Sequence, residues 1–494
     1  MKKAKSGIIL NYIYNCAYQL LKILLPLVTA PYISRVLGAE NIGIYSYTHA
    51  NANYFVLLAA LGITNYGSRS CARVRDNRSK LSRTFCGIFY IQCVSSALSI
   101  AAFTVFAMLS DRFRSVYFLW EFYVVSALFD ISWLFFSKEE FKITVMRNIV
   151  VKLLSVACTF LFVKEKSDFN KYIFILSFSF LVTQLSVWPF VRRYIDWVRV
   201  PPRELIAHIK PILRLFIPVI AVSIYNIMDK IMLGRMCDMT QSGFYENTEK
   251  LLTIPTSLII ALGTVMLPRM SYLAAEGKKD ESDALMRRSM LFVSFLSCAL
   301  AFGISGISPE FVPYFFGTEF AACTLLVIAL SPKILCVSWA NVIRTQFLLP
   351  QNRDRDYIIS VSAGAVVNLI FNLILIPKME ALGAIIATVL AEITVAVIQT
   401  YSVREAIPWK DYLTDGVPFV VFGTIMLAVT RVFCNIASSV FLSLIIQIII
   451  GAAVYLILVV AYVALFKKDI ALLIKLKIHK HKCHSNGRKK PHDK

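Results

Sequence analysis

The chain is short of charge. Only 17% of its 494 residues are Asp, Glu, Lys or Arg, and 57% are hydrophobic. A soluble domain carries about 25% charged and about 45–50% apolar residues, so the balance excludes an ordinary soluble fold. Acid is scarcer than base: 30 Asp and Glu face 52 Lys and Arg, a net charge of +22. Long polar stretches are missing too. Connectors between apolar runs reach only about 20 residues, which leaves no room for a soluble domain or a nucleotide-sugar site. The eleven Cys contain no C-x-x-C pair. They form neither a disulfide framework nor a zinc site, and most act as small hydrophobes within apolar runs. Walker loop, G-x-S-x-G and H-E-x-x-H are all absent, so the chain reads as no enzyme, with no cofactor and no catalytic metal. Met1-Lys2-Lys3-Ala4-Lys5 leads into an apolar run without a small-residue cleavage site, so that run reads as a first spanning helix. The runs do not alternate with period two, which excludes a β-barrel.

What is present is a series of apolar runs of about 20 residues, the length that crosses a hydrocarbon core of roughly 30 Å. Fourteen are expected, at 8–34, 42–66, 84–109, 116–137, 145–163, 172–191, 212–234, 245–268, 289–307, 322–343, 357–376, 382–403, 416–435 and 439–466. The fold class is an all-α polytopic membrane protein. With the N-terminus placed in the cytoplasm, 38 of the 52 Lys and Arg fall in cytoplasmic segments and 9 in outer ones. That bias obeys the positive-inside rule and puts both ends in the cytoplasm of a cell-membrane protein. The net charge is thereby mostly topology, and nucleic acid is not expected as a partner. The connector 192–214 holds Trp197, two prolines and a basic stretch, which predicts a short helix on the inner leaflet. The tail 467–494 is polybasic and suited to anionic inner-leaflet lipid. Its run His479-Lys480-His481-Lys482-Cys483-His484 could hold a metal ion, but a solvated basic tail is the plainer reading.

The chain also echoes itself. Pro26 to Gly67 and Leu215 to Met270 share an order of motifs: Leu37-Gly38 with Leu233-Gly234, Gly43-Ile44-Tyr45 with Gly243-Phe244-Tyr245, and Ala60-Leu61-Gly62 with Ala261-Leu262-Gly263. Gly43 to Gly62 is 19 residues and Gly243 to Gly263 is 20. Both copies start from the same membrane side, which predicts a parallel repeat, two six-helix lobes and a central cavity worked by alternating access. The expected units are an N-lobe at 1–205, a C-lobe at 206–404, two extra spans at 405–466 and the tail at 467–494.

Ionisable groups at membrane depth are costly and therefore functional suspects. Lys22 and Lys333 lie near the middle of their spans, and each costs about 2.5–3.5 kcal/mol at a bilayer centre. Facing a wet cavity explains them best. Lys230, Lys250, Arg35 and Arg69 are weaker members of the same cationic set, because they lie nearer span ends. Such a lumen suits an anion, above all a phosphate or diphosphate. Asn11, Asn15 and Gln19, with Tyr12 and Tyr18, offer polar edges fit for sugar or for helix–helix hydrogen bonds. Asp130, Asp229 and Glu392 are candidates for ion coupling, alongside Glu246 and Glu249 as further buried acids. Asp229 and Lys230 are adjacent and point to different helix faces, whereas Glu246 and Lys250 are spaced i, i+4 and form a natural pair. The competing reading is that all these charges only hold lobes together.

Asn11 to Tyr47, with its P-L-V-T-A-P-Y-I-S-R-V-L-G-A-E-N-I-G-I-Y-S-Y core, resembles the oligosaccharide flippases of polysaccharide biosynthesis, the Wzx-type proteins. Phe216 to Gly234 and Asn368 to Glu392 do so as well. Those proteins sit in the superfamily of the multidrug/toxin extruders and the peptidoglycan-precursor flippases. The resemblance implies 14 helices, two lobes and an undecaprenyl-diphosphate-linked oligosaccharide as cargo, with polysaccharide polymerase and glycosyltransferases as possible partners. A cation-coupled multidrug antiporter of the same fold is the nearest rival, and a membrane-embedded polymerase a more distant one. The antiporter would favour an acidic lumen, and the polymerase a large outer loop or a carboxylate cluster.

Overall fold

The structure is a computed structural model. It describes the backbone of residues 2–434 and 436–466, and the side chains of 25–465 apart from 141, 217, 218, 221, 222, 224–226 and 435. Every ordered element among the described residues is helical. In lipid, backbone N–H and C=O groups must be satisfied within the segment, and a helix achieves this without a partner.

The first half of the chain forms α1 (Lys2–Ala60), α2 (Ile63–Arg73), α3 (Arg78–Leu109), α4 (Arg114–Ser126), α5 (Ser132–Ser137), α6 (Phe141–Phe162), α7 (Phe169–Leu185) and α8 (Trp188–Val191). The second forms α9 (Pro202–Met236), α10 (Met239–Ala275), α11 (Lys279–Phe316), α12 (Cys323–Leu330), α13 (Pro332–Ile343), α14 (Asp354–Ser402), α15 (Trp409–Val432) and α16 (Val440–Phe466). Among the described residues, ten helical segments are long and apolar enough to cross a membrane, against fourteen expected runs.

Part of that difference lies in two broken helices. At 1.5 Å per residue, the 59 residues of α1 would measure about 88 Å if straight, far beyond a bilayer. The helix breaks at Gly38, whose φ of 78° lies in a region open to glycine at little steric cost. α14 has 49 residues and breaks at Glu380, with φ 51° and ψ −128°. A Cβ on Gly383 would sit 2.4 Å from the Leu375 carbonyl oxygen, so the chain doubles back there. Both breaks fall where the hydropathy pattern predicts a turn, and α14 counts once among the ten.

The connector before α9 differs from expectation. No separate surface helix forms, and residues 202–214 are the leading turns of α9 itself. Pro202 takes the first helical position, where its missing N–H costs nothing, and the helix then runs on for 35 residues. That is about 52 Å, so its start extends past the hydrocarbon core. These turns pack back on α2 and α3. Glu204 accepts from Arg83 Nε at 2.7 Å, and the Tyr66 hydroxyl meets His208 Nδ1 at 2.7 Å. Asp196 takes both arms of Arg78, at 2.7 and 2.8 Å, and this hydrogen bonding holds its carboxyl below the usual range. Burial pushes the His208 imidazole down, opposed by the Glu204 charge.

Apolar packing forms four clusters. One joins α10 through α14 and takes in Ala39 and Ile42 of α1. A second gathers α2, α3, α5 and residues 187–212 around Trp133 and Phe85. The third unites α1, α3, α4 and α7 around Trp120 and Phe103. The fourth sets Tyr455 of α16 against Cys298 of α11 and Phe419 of α15. Large side chains such as Leu98, Leu161, Val397 and Val460 point outward, an apolar exterior that suits lipid rather than water.

Candidate functional site

The site is built where α10 crosses α1. Gly43 and Gly243, singled out as repeat equivalents, lie against each other. A Cβ on Gly43 would fall 1.7 Å from the Met239 carbonyl oxygen, and one on Gly243 would fall 2.0 Å from that of Ala39. The contact is reciprocal, as at an interface with two-fold symmetry. Only hydrogen side chains allow backbones this close.

One turn further along α10, Glu246, Glu249 and Lys250 share a face at i, i+3 and i+4. Lys230 arrives from α9 and Lys333 from α13. Lys230 Nζ lies 2.7 Å from Glu246 Oε2 and 3.0 Å from Glu249 Oε2. Lys250 Nζ is 3.1 Å from Glu246 Oε1, the predicted i, i+4 pair, and it also stands 4.8 Å above the Tyr45 ring. Lys333 Nζ is 4.0 Å from Glu249 Oε1. Ser46 of α1 donates to Glu246 Oε2 at 2.8 Å. Three lysines thus share two glutamates, which leaves the cluster one positive charge in excess. Burial of Glu246 strengthens each contact, because little water screens it.

Asp229 is turned away from this cluster, as adjacency to Lys230 requires. It is buried and accepts from Tyr245 Oη at 2.6 Å, Asn372 Nδ2 at 2.5 Å and Thr388 Oγ1 at 2.7 Å. Asn368, one turn before Asn372, joins the set through its Oδ1 at 3.0 Å. Two hydroxyls and one amide N–H, from α10 and α14, therefore converge on one buried carboxylate of α9 and supply it with hydrogen bonds in place of water.

The remaining predicted residues scatter. Arg35 donates to the Tyr314 carbonyl, and Ala39 N–H donates to Glu319 Oε1 at 3.0 Å, which ties α1 to the end of α11. Arg69 is exposed on α2. Asp130 lies elsewhere in the first half, accepting from the Ser132 amide at 3.0 Å and the Ser132 hydroxyl at 2.6 Å. Glu392 is buried in α14. The side chains of Asn11, Tyr12, Asn15, Tyr18, Gln19 and Lys22, and the whole tail with its His479–His484 run, lie outside the described residues. Sequence reasoning missed the Glu249 bridge between Lys230 and Lys333, whose signal was its i+3 spacing from Glu246. It also missed Ser46, and Ser34, whose hydroxyl accepts from Asn247 Nδ2 at 2.8 Å.

Known proteins resemble the chain along nearly its whole length. The family model for polysaccharide biosynthesis protein covers residues 8–274, more than half of the sequence. The chain belongs to the polysaccharide biosynthesis protein family. As a member of it, the chain also matches the family model for lipid II flippase MurJ over residues 173–464. A putative O-antigen transporter of Escherichia coli (strain K12) is 24% identical over 400 residues, covering 80% of this chain and 96% of the relative. A solved structure of lipid II flippase MurJ in an inward closed conformation superposes with a TM-score of 0.75 at 15% identity, covering 92% of this family member and 99% of that chain. An inward-facing multidrug resistance MATE family transporter of the MOP superfamily gives 0.63 at 12%, covering 80% and 97%. The fold of this family member is therefore that of the MurJ and MATE structures, and the protein is a multi-pass membrane transporter of the flippase type.

Proposed function

We propose that the protein flips an undecaprenyl-diphosphate-linked oligosaccharide from the inner to the outer leaflet of the cell membrane for surface polysaccharide synthesis. The observation that carries this reading is the lysine-rich cluster at the α1–α10 crossing, where Lys230, Lys250 and Lys333 outnumber Glu246 and Glu249. Family membership and the names of the relatives support the substrate class.

In this mechanism two lobes, 1–205 and 206–404, rock about a shared cavity, with both termini in the cytoplasm. With the N-terminus placed in the cytoplasm, the Gly43–Gly243 crossing, Ser34–Asn247 and the Glu319 contacts fall on the outer side in this reading and hold the halves together there. The head group enters from the inner side while its lipid tail stays in the bilayer. The diphosphate competes with Glu246 and Glu249 for the three lysines, helped by Lys22, and this exchange loosens the crossing. Arg35 and Arg69 serve the ends of the path, and Asn11, Asn15 and Gln19 contact sugar. Moving two negative charges out of an inside-negative cell at 100 mV is favourable by roughly 4–5 kcal/mol. The buried Asp229 carboxylate couples a proton or metal cation to the return step, with Asp130 and Glu392 as lesser candidates.

The test is a flipping assay in proteoliposomes with a defined lipid-linked glycan. Lys22→Ala, Lys230→Ala and Lys333→Ala are each expected to slow flipping at least tenfold. Wild-type rates in all three would sink the cationic-site mechanism, and a wild type that moves no lipid-linked glycan would sink the function.

A further inference from the structure

A cavity of about 230 Å³ opens inside the first half between α1, α2, α3, α4 and α7. It shares no lining residue with the lysine cluster and has a different chemistry. No lysine or arginine lines it. One wall is aromatic: Tyr123 of α4 and Phe180 of α7 meet at 4.4 Å between ring centroids, tilted 41°. Phe180 is exposed rather than packed away. The other wall is polar, with Thr64, Ser126, Asp130 and Gln184.

One acceptor on that polar wall is buried without a donor. Gln184 Oε1 is buried without a hydrogen-bond partner. Asp130 lines the same wall and uses Oδ1 for the Ser132 amide and hydroxyl. A buried acceptor left unmade costs about 1–3 kcal/mol, so each such group calls for a ligand or an ordered water. The Tyr123 ring is held in place, because its hydroxyl donates to Asn53 Oδ1 at 3.0 Å. A further ring, His49, stacks behind it at 5.3 Å and braces it. An aromatic floor, neutral or acidic acceptors opposite, and no cation make a poor phosphate site. The same parts match a pyranose, whose C–H face lies on a ring and whose hydroxyls donate to carboxylate and amide oxygens. One sugar ring fits the volume.

We infer that this cavity is a monosaccharide subsite that holds a sugar of the cargo while the diphosphate sits elsewhere. The inference rests on the flippase reading and deepens it: the lysines recognise the carrier, and this cavity selects the glycan.

Purified protein in nanodiscs is titrated with undecaprenyl diphosphate bearing no sugar, glucose, galactose or N-acetylglucosamine. Wild type is expected to bind at least one sugar-bearing carrier roughly tenfold tighter than the bare one. Gln184→Leu and Phe180→Ala abolish that preference and keep affinity for the bare carrier. Gln184→Leu removes an unpaired acceptor from a buried place, so it folds at least as well as wild type. Tyr123→Phe keeps the ring and keeps the preference. A sugar preference that survives both Gln184→Leu and Phe180→Ala overturns the subsite, and so does a wild type that binds all four carriers alike. A wild type that binds no carrier overturns the flippase reading and the subsite with it.

Discussion

Glu246 is the most heavily engaged acid of the described cluster. Its two oxygens face Lys230, Lys250 and the Ser46 hydroxyl. Removing one partner of a buried pair leaves the other charges uncompensated, which costs about 3–5 kcal/mol. Glu246→Gln is therefore expected to lower stability by about 3 kcal/mol, measured as a fall in the thermal midpoint of the purified protein. Adding Lys250→Met should return part of the loss, because the excess cation goes with it. A thermal midpoint unchanged by Glu246→Gln would mean that water already screens the cluster. Its i, i+4 partner was legible from spacing alone, since helix geometry fixes that neighbour. The contact to Ser46 was not, because 200 residues separate the two and only packing brings them together.

At the scale of the element, the crossing of α1 and α10 joins the first half of the chain to the second. Both backbones approach over glycine, and there is no slack for a methyl group. Gly43→Ala or Gly243→Ala would raise helix propensity by about 1 kcal/mol. The clash with the Met239 or Ala39 carbonyl is expected to outweigh that gain, for a net loss of about 1–3 kcal/mol and a wider crossing. Distances between spin labels placed on α1 and α10 on either side of the crossing report the widening, and unchanged distances would contradict the close approach. The motif match that picked these two glycines came from comparing one half of the chain with the other. That they touch could not be read there, because a repeat specifies equivalence and not contact. The same limit applies to α9. Hydropathy predicts its apolar portion, but the run-on from 202 depends on docking of its first turns against Tyr66 and Arg83.

For the whole molecule, the question is whether the contacts beside the α1–α10 crossing open during transport. Cysteines at positions 34 and 247, where Ser34 and Asn247 meet at 2.8 Å, can be bridged by a short reducible bis-thiol reagent. Bridging is expected to cut flipping at least tenfold, and reduction to restore it, with each single-cysteine protein unaffected. Full activity in the bridged protein would place the moving gate elsewhere. By itself the sequence determined that this is an all-helical membrane protein, where the long helices turn, and which ionisable residues enter the apolar runs. Those properties follow from hydrophobic length and helical period, which act locally along the chain. Tertiary structure alone decided that Glu249 bridges Lys230 and Lys333, that Asp229 sits among neutral oxygen and amide groups of α10 and α14, and that Tyr123, Phe180 and Gln184 line one cavity. Each depends on which helix faces meet, and side-chain packing between distant segments sets that choice.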